Sequence, residues 1–162
     1  MIIIAHASKN WGIGKNNDLM FKLPQDMKFF RETTSGGVVI MGRKTLESFP
    51  NQKPLPNRVN IVITNNTDYA PEGVIIAHSA DEAAKIAKEY KDRKVFVIGG
   101  AMIYDLMLPY CDTALITKVF ADSDADTFIH DFDSDSEWEL ASESDDIVDN
   151  GYTIRFCEYR RK

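Results

Sequence analysis

Short apolar segments that alternate with helical segments are the feature that most constrains the fold of this chain. Each apolar segment has four to six residues, many of them β-branched, which is typical of a strand buried on both faces of a sheet. These strands are predicted at Ile2–Ala7, Val38–Met41, Val59–Thr64, Val74–Ala77 and Val95–Ile98, with helices over 24–34, 43–49, 80–90 and 101–108. Because a helical crossover returns the chain in the same direction, the pattern predicts a mostly parallel sheet flanked by helices.

The last third of the chain follows a different pattern. Strand-like segments at Thr113–Phe120, Trp138–Ser144 and Tyr152–Tyr159 have no helix between them. Strands connected in this way pair antiparallel. We therefore expect an α/β fold with a central, mostly parallel sheet and antiparallel C-terminal strands. No linker or repeat interrupts the sequence, so residues 1–162 are expected to form a single domain.

Composition argues against a membrane or secreted protein. With 44% hydrophobic and 27% charged residues, the chain resembles a soluble globular domain, and no apolar segment approaches the ~20 residues that span a bilayer. Met1 leads directly into a strand-like segment without the basic region of a secretory signal. Cys111 and Cys157 have no metal-binding spacing and suit a reducing compartment. We therefore expect a cytoplasmic protein without a metal site.

The net charge of −6 comes from one segment. Residues 122–149 contain 12 acidic and no basic residues. Because the segment lacks the glycine turn and terminal glutamate of an EF-hand, it is not predicted to bind calcium. We interpret it as solvated loops and strand ends. Such an acidic surface argues against nucleic-acid binding.

Leu19–Phe30 holds a single acidic residue, Asp26, near the start of a predicted helix. Pro24 fits the first turn of a helix, where its missing N–H is not needed. At about 3.6 residues per turn, Asp26, Phe29 and Phe30 lie on one side, so the acid is expected to face a pocket. An acid in a first helical turn is also favourable to the helix dipole alone. This segment by itself therefore leaves a binding role and a purely structural role open.

Two junctions between a strand and a helix have features of phosphate binding. At Gly42–Thr45, a glycine, two cations and a hydroxyl meet the free N–H groups of a helix start. The preceding G-x-x-x-x-G spacing is not a P-loop, because the lysine is one residue late and the intervening residues form a strand. At the second junction, Gly99-Gly100 lacks the G-x-G-x-x-G fingerprint of a Rossmann site. Together, the two junctions predict a ligand with separated phosphates, such as a dinucleotide.

Four motifs in this order resemble the bacterial dihydrofolate reductase family over essentially the whole chain. They read IGKNNDLMFKLPQDMKFF, VIMGRKTLES, PLPNR and VIGGAMIY, and the resemblance continues through Asp126–Phe128 to the final strand. The resemblance implies NADPH-dependent reduction of dihydrofolate to tetrahydrofolate. The hydride would pass to the C=N bond of the pterin, with protonation of the adjacent nitrogen.

The resemblance also implies a role for each matched position. The catalytic residues would be Asp26, Thr117, Leu19 and Phe21, with Asp26 accepting hydrogen bonds from the pterin and Thr117 reaching both the pterin amino group and Asp26, partly through water. The substrate-binding residues would be Ile4, Ala5, Met27, Phe30, Arg58 and Ile98, and Arg58 would hold the glutamate carboxylate. The cofactor-binding residues would be Ala5, Ile13, Gly14, Gly42, Arg43, Lys44, Thr45, Thr64, Asn65, Gly99, Gly100, Ala101, Met102, Ile103 and Tyr104. The loop 10–19 would be a mobile flap over the nicotinamide, with Gly14 as a hinge.

The chain departs from the family pattern at Met20-Phe21, where Pro-Trp is usual. Phe21 keeps an aromatic wall but has no indole N–H to hold a water molecule. Two alternatives are a non-catalytic pterin or nucleotide carrier and the pyrimidine reductase of riboflavin synthesis, which shares this fold and NADPH use. Asp26 together with Arg58 argues against the pyrimidine reductase, whose substrate has neither a pterin edge nor a glutamate tail. The protein is expected to be a monomer.

The three histidines do not predict a site of their own. His6, His78 and His130 have no spacing that suggests a shared metal ion. We interpret them as structural or solvated.

Overall fold

Twelve strands and four helices follow one another along the chain. The computed structural model describes residues 1–162. The strands are β1 Ile2–Ala7, β2 Gly12–Lys15, β3 Asp18–Leu19, β4 Val38–Gly42, β5 Val59–Ile63, β6 Ile75–Ala77, β7 Val95–Gly99, β8 Thr113–Val119, β9 Thr127–Phe128, β10 Trp138–Glu143, β11 Ile147–Asp149 and β12 Tyr152–Arg161. The helices are α1 Pro24–Thr34, α2 Arg43–Glu47, α3 Ala80–Lys88 and α4 Ala101–Met107, with 3₁₀ turns at Pro50–Gln52 and Leu108–Tyr110.

The main sheet has nine strands. Eight of them run in the order β10-β12-β8-β1-β7-β4-β5-β6, and β11 also pairs with β12. All pairs from β8 to β6 are parallel, whereas β12 pairs antiparallel with β8, β10 and β11. The prediction of a mostly parallel sheet with antiparallel C-terminal strands is therefore confirmed. Within this sheet β1 lies between β8 and β7. It pairs with β8 along its whole length but with β7 only at Ile2 and Ile3, so the carboxyl end of β1 has a strand partner on the β8 side alone.

Helices cover both faces of the sheet. Successive side chains along a buried strand point in opposite directions, so each strand contributes residues to both faces. On one face, strand residues pack with α3 and α4, and this group includes Ile3, Ile40, Ile61, Val97, Ala83, Ile103 and Met107. On the other face, strand residues pack with α1 and α2, and this group includes Ile4, Val39, Met41, Val62, Phe30 and Leu46. None of the four helices has the length and hydrophobicity of a membrane-spanning segment.

A second, small sheet corrects the prediction for residues 10–19. This segment is not a loop throughout, because β2 pairs antiparallel with both β3 and β9. Asn16 and Asn17 have φ values of 52° and 62°, the positive values that a two-residue hairpin turn requires. The acidic segment is also more than solvated loops and strand ends, since β9 belongs to it and pairs with β2.

Candidate active site

A buried carboxylate from another part of the chain anchors the start of α1. The residue at the N-cap position is Leu23, which has no side-chain acceptor to offer. The Asp149 carboxylate of β11 instead accepts hydrogen bonds from the backbone N–H groups of Gln25, at 3.0 Å, and Asp26, at 3.1 Å. Asp149 thus satisfies two helix donors that would otherwise be unpaired. This contact fixes the backbone that carries Asp26.

The Asp26 side chain points at the sheet and is only 12% exposed. The Thr117 hydroxyl donates to its Oδ1 over 2.6 Å, and His6 Nδ1 lies 3.0 Å from its Oδ2. His6 of β1 and Thr117 of β8 are register partners, so their side chains share one face of the sheet. An ionised carboxylate has about four acceptor positions. One position on each oxygen therefore remains for a ligand.

From the sequence we interpret His6 as structural or solvated. The structure shows that its side chain is buried, not solvated, and that its ring contacts the candidate catalytic acid. Strand periodicity places His6 on the same face as Ile4, which was available from the sequence. Strand order and the position of α1 bring Thr117 and Asp26 to this face. The sequence pattern alone provides neither.

Phe21, Tyr104 and Ile4 form part of the surroundings of the acid. The Phe21 ring is buried, with its centroid 6.1 Å from that of His6 and 4.9 Å from that of Tyr152. The Tyr104 hydroxyl donates to the Ile4 carbonyl over 2.8 Å. Burial raises the pKa of Tyr104, and the charge of Asp26 raises it further. The hydroxyl of Tyr104 therefore stays protonated and holds the β1 backbone.

The other predicted substrate-binding residues differ in exposure. Ile4 is buried, and Phe30 and Ile98 pack against its cluster as partly buried residues. Ala5 is also partly buried. Met27 and Leu19 are 54% and 64% exposed, so both present apolar surface to solvent rather than to the core.

Arg58 lies near the start of β5 and makes no salt bridge. Its Nε atom is buried and has no hydrogen-bond partner. Burial lowers the pKa of Arg58, and the nearby Arg31 lowers it further. Two cations close together without a carboxylate between them favour an anionic ligand.

The two glycine junctions predicted to bind phosphate lie side by side. β4 and β7 are adjacent, and Met41 is the register partner of Gly99. A Cβ atom placed on Gly100 would meet only the Thr45 hydroxyl, at 3.9 Å. Gly99 has a φ of 120° and packs against the Tyr104 ring, so a side chain there would be strained. The backbone at this point is therefore open to close approach by a ligand.

The predicted cofactor residues around these junctions are mostly at the surface. Arg43 and Lys44 are exposed, and Arg43 pairs with Glu47 over 3.2 Å and lies 5.4 Å from the centroid of the Tyr69 ring. Asn65 and Met102 are exposed, Thr64 and Ala101 are partly buried, and Ile103 is buried against Gly42.

The predicted flap is held by the acidic segment. Asp126 accepts from the Asn16 N–H over 2.9 Å, its own N–H donates to the Gly14 carbonyl over 3.0 Å, and Lys15 pairs with Asp124. Ile13 is buried, and a Cβ on Gly14 would come within 2.9 Å of Thr127. Gly14 therefore permits close pairing of β2 with β9, and the positive φ values of this hairpin are at the two asparagines instead.

Known proteins resemble this chain in both sequence and structure. A sequence model described as dihydrofolate reductase matches residues 1–161. The chain is 39% identical to dihydrofolate reductase of Bacillus subtilis over 152 residues, covering 93% of this chain and 88% of that protein. It is 35% identical to the Haemophilus influenzae enzyme over 162 residues, covering 99% and 98% of the two chains. The solved structure of the Enterococcus faecalis dihydrofolate reductase complexed with NADP(H) and RAB-propyl superimposes with a TM-score of 0.88 at 35% identity, covering 99% of this chain and 95% of that one. The chain belongs to the dihydrofolate reductase family.

Proposed function

We propose that this protein reduces 7,8-dihydrofolate to 5,6,7,8-tetrahydrofolate with NADPH, and that Asp26 binds the pterin. Family membership supports the reaction. The observation that carries the proposal for the site is the buried Asp26 carboxylate, whose two oxygens each have one protein donor and one acceptor position left. A pterin edge presents two adjacent N–H donors, and a carboxylate held in this way accepts both.

The substrate lies, in this proposal, between α1 and the carboxyl end of β1. The Ile4 and Ile98 carbonyls border the pterin, and Ala5, Met27 and Phe30 pack against it. The unpaired guanidinium of Arg58 binds the carboxylate of the glutamate tail, where a bidentate ion pair would satisfy the buried Nε. Leu19 and Phe21 close the apolar side of the reacting ring.

NADPH fits the glycine junctions, because the open backbone at Gly100 lies beside Thr45 and the exposed cations of α2. Arg43 and Lys44 would hold phosphate groups, with Thr64 and Asn65 beside them. The segment Gly99–Tyr104 and Gly42 would contact the remainder of the cofactor, together with Ala5, Ile13 and Gly14. When bound, NADPH supplies the hydride.

The protein's contribution to the reaction is orientation and polarisation. Asp26 holds the pterin edge in one register, so that the ring carbon that receives the hydride has a fixed position. Its negative charge also favours the protonated form of the adjacent ring nitrogen as the C=N bond is reduced. Phe21 and the flap limit the access of bulk water to the two rings.

The test is to mix the protein with NADPH and dihydrofolate and to follow the absorbance of the reduced nicotinamide, with methotrexate as a competitor. Asp26→Asn keeps the shape of the side chain but removes its charge, and we expect kcat/KM for dihydrofolate to fall by about 100-fold or more. The affinity for NADPH should not change. The matched control is Asp68→Asn, at an exposed aspartate in the loop after β5.

Two results would contradict the proposal. Binding of both ligands without NADPH oxidation would indicate a carrier. An Asp26→Asn variant as active as Asp68→Asn near neutral pH would remove Asp26 from the site.

We further propose that residues 1–162 form one domain and act as a monomer in the cytoplasm, without binding nucleic acid. The net charge of −6 opposes contact with a polyanion. Both cysteines are free and buried, as suits a reducing compartment. Sedimentation analysis at enzyme concentrations near those of the activity assay would detect a dimer, and a single cooperative unfolding transition is expected for one domain.

A further inference from the structure

His6 is a buried polar residue that the proposed reaction does not use. Its side chain is 6% exposed, and its Nδ1 atom lies 3.0 Å from Oδ2 of Asp26. The ring stands beside Phe21, the aromatic residue at the point where this chain departs from its family pattern. A histidine in hydrogen-bond contact with the acid that binds the substrate has the geometry to influence that acid directly.

The sheet places His6 and Thr117 as a matched pair of donors. The two residues are register partners on the parallel strands β1 and β8, and both side chains reach α1. Thr117 occupies Oδ1 of Asp26 and His6 occupies Oδ2. Rotation of the carboxylate about its Cβ–Cγ bond would break both contacts at once. The two donors together therefore fix the plane of the carboxylate.

The hydrogen bonds also indicate which nitrogen of His6 carries a proton. An ionised carboxylate only accepts hydrogen bonds, so Nδ1 must be the donor. In a neutral ring, Nε2 is then an acceptor, and this atom is buried without a hydrogen-bond partner in the protein. Nδ1 is therefore the ring nitrogen whose proton is directed at Asp26.

We propose that His6 is a positioning residue for dihydrofolate, a role that rests on the proposed function. It donates from Nδ1 to Oδ2 of Asp26 and, together with Thr117, holds the carboxylate so that the free acceptor position on each oxygen faces the pterin edge. Because Asp26 contacts the pterin both before and during the reaction, loss of His6 weakens ground-state and transition-state binding alike. The effect is then mainly on KM for dihydrofolate rather than on kcat.

The kinetic test compares three variants. His6→Ala removes the donor, and we expect kcat/KM for dihydrofolate to fall by about 10-fold, mostly through KM, with KM for NADPH unchanged. His6→Asn has an amide N–H that reaches the position of Nδ1, so it should recover to within about 3-fold of the wild type. The matched control is His130→Ala, because His130 pairs with Asp135 outside the site over 2.8 Å. The proposal is overturned if His6→Ala is as active as His130→Ala, or if His6→Asn is no better than His6→Ala.

A second measurement needs no variant and no turnover. Nuclear magnetic resonance of isotope-labelled histidine in the wild-type protein reports which ring nitrogen is protonated. We expect a protonated Nδ1 for His6, and an unprotonated Nδ1 would overturn the proposal even if the kinetic variants fail to fold. Absence of wild-type turnover would instead refute the proposed function. Normal turnover with an unprotonated Nδ1 would refute only the role of His6.

Discussion

Removal of the Asp149 carboxylate tests how the fold holds the helix that carries Asp26. In Asp149→Ala, the N–H groups of Gln25 and Asp26 lose their acceptor. Asp149 is 2% exposed, so bulk water has little access to replace it. Loss of a helix cap costs about 0.5–2 kcal/mol, and an unsatisfied buried donor costs about 1–3 kcal/mol. The alanine variant no longer has a charged carboxylate to desolvate on folding, and this gain offsets part of the loss.

We therefore expect Asp149→Ala to lower the free energy of unfolding by about 2 kcal/mol, which corresponds to a fall in Tm of about 6 °C for a chain of this size. Asp149→Asn keeps an acceptor of nearly equal quality and loses only the charge at the helix N-terminus. Its expected cost is about 0.5–1 kcal/mol.

Urea unfolding measured by circular dichroism gives both values, provided that the dependence of the free energy on urea is the same in each variant. Asp145→Ala is the matched control, because Asp145 lies in the same segment and is exposed. The reasoning is refuted if Asp149→Ala lies within about 0.5 kcal/mol of Asp145→Ala, since surface substitutions alone produce differences of that size. It is also refuted if the asparagine and alanine variants are equally destabilised.

Three further predictions concern Thr117 and the two cysteines. Thr117→Val leaves Oδ1 of Asp26 with one donor fewer, so kcat/KM for dihydrofolate should fall by about 10-fold, while Thr117→Ser keeps the hydroxyl and should stay close to the wild type. Equal activity of the valine and serine variants in the absorbance assay would contradict this. Burial raises the pKa of Cys111 and of Cys157 from 9.0 to about 11, so an aromatic disulfide reagent at about pH 8 should react with neither thiol until denaturant is added. Because unfolded thiols ionise first, stability should fall as the pH rises from about 9 towards 11, and a pH-independent free energy of unfolding over that interval would contradict this reasoning.

The local chemistry of the sequence determined much of the fold. Buried strands appear as continuous apolar segments, and the helix starts at Pro24 and Ser79 follow from residues within one turn of each position. Ser79 indeed accepts from the Glu82 N–H over 3.0 Å. The hairpin at Asn16-Asn17 was also a local feature, since asparagine tolerates positive φ, but the prediction treated the whole segment as a loop.

The resemblance in four motifs placed Asp26 among the candidate residues, but the residues that hold its side chain and backbone come from distant parts of the chain. Thr117 follows Asp26 by 91 residues and Asp149 by 123, and each reaches α1 only because of the order of strands in the sheet. His6 precedes it by 20 residues, and because β1 pairs with β8, His6 and Thr117 reach the carboxylate from adjacent strands.

Sequence patterns thus identified the acid and the glycine junctions, because helix starts and strand ends are properties of neighbouring residues. The family resemblance implied that Thr117 reaches Asp26. Only the tertiary structure decided that Thr117 and His6 both contact its carboxylate and that Asp149 holds its backbone, because strand order and register place side chains from β1, β8 and β11 around one helix start. No periodicity in the chain encodes that placement.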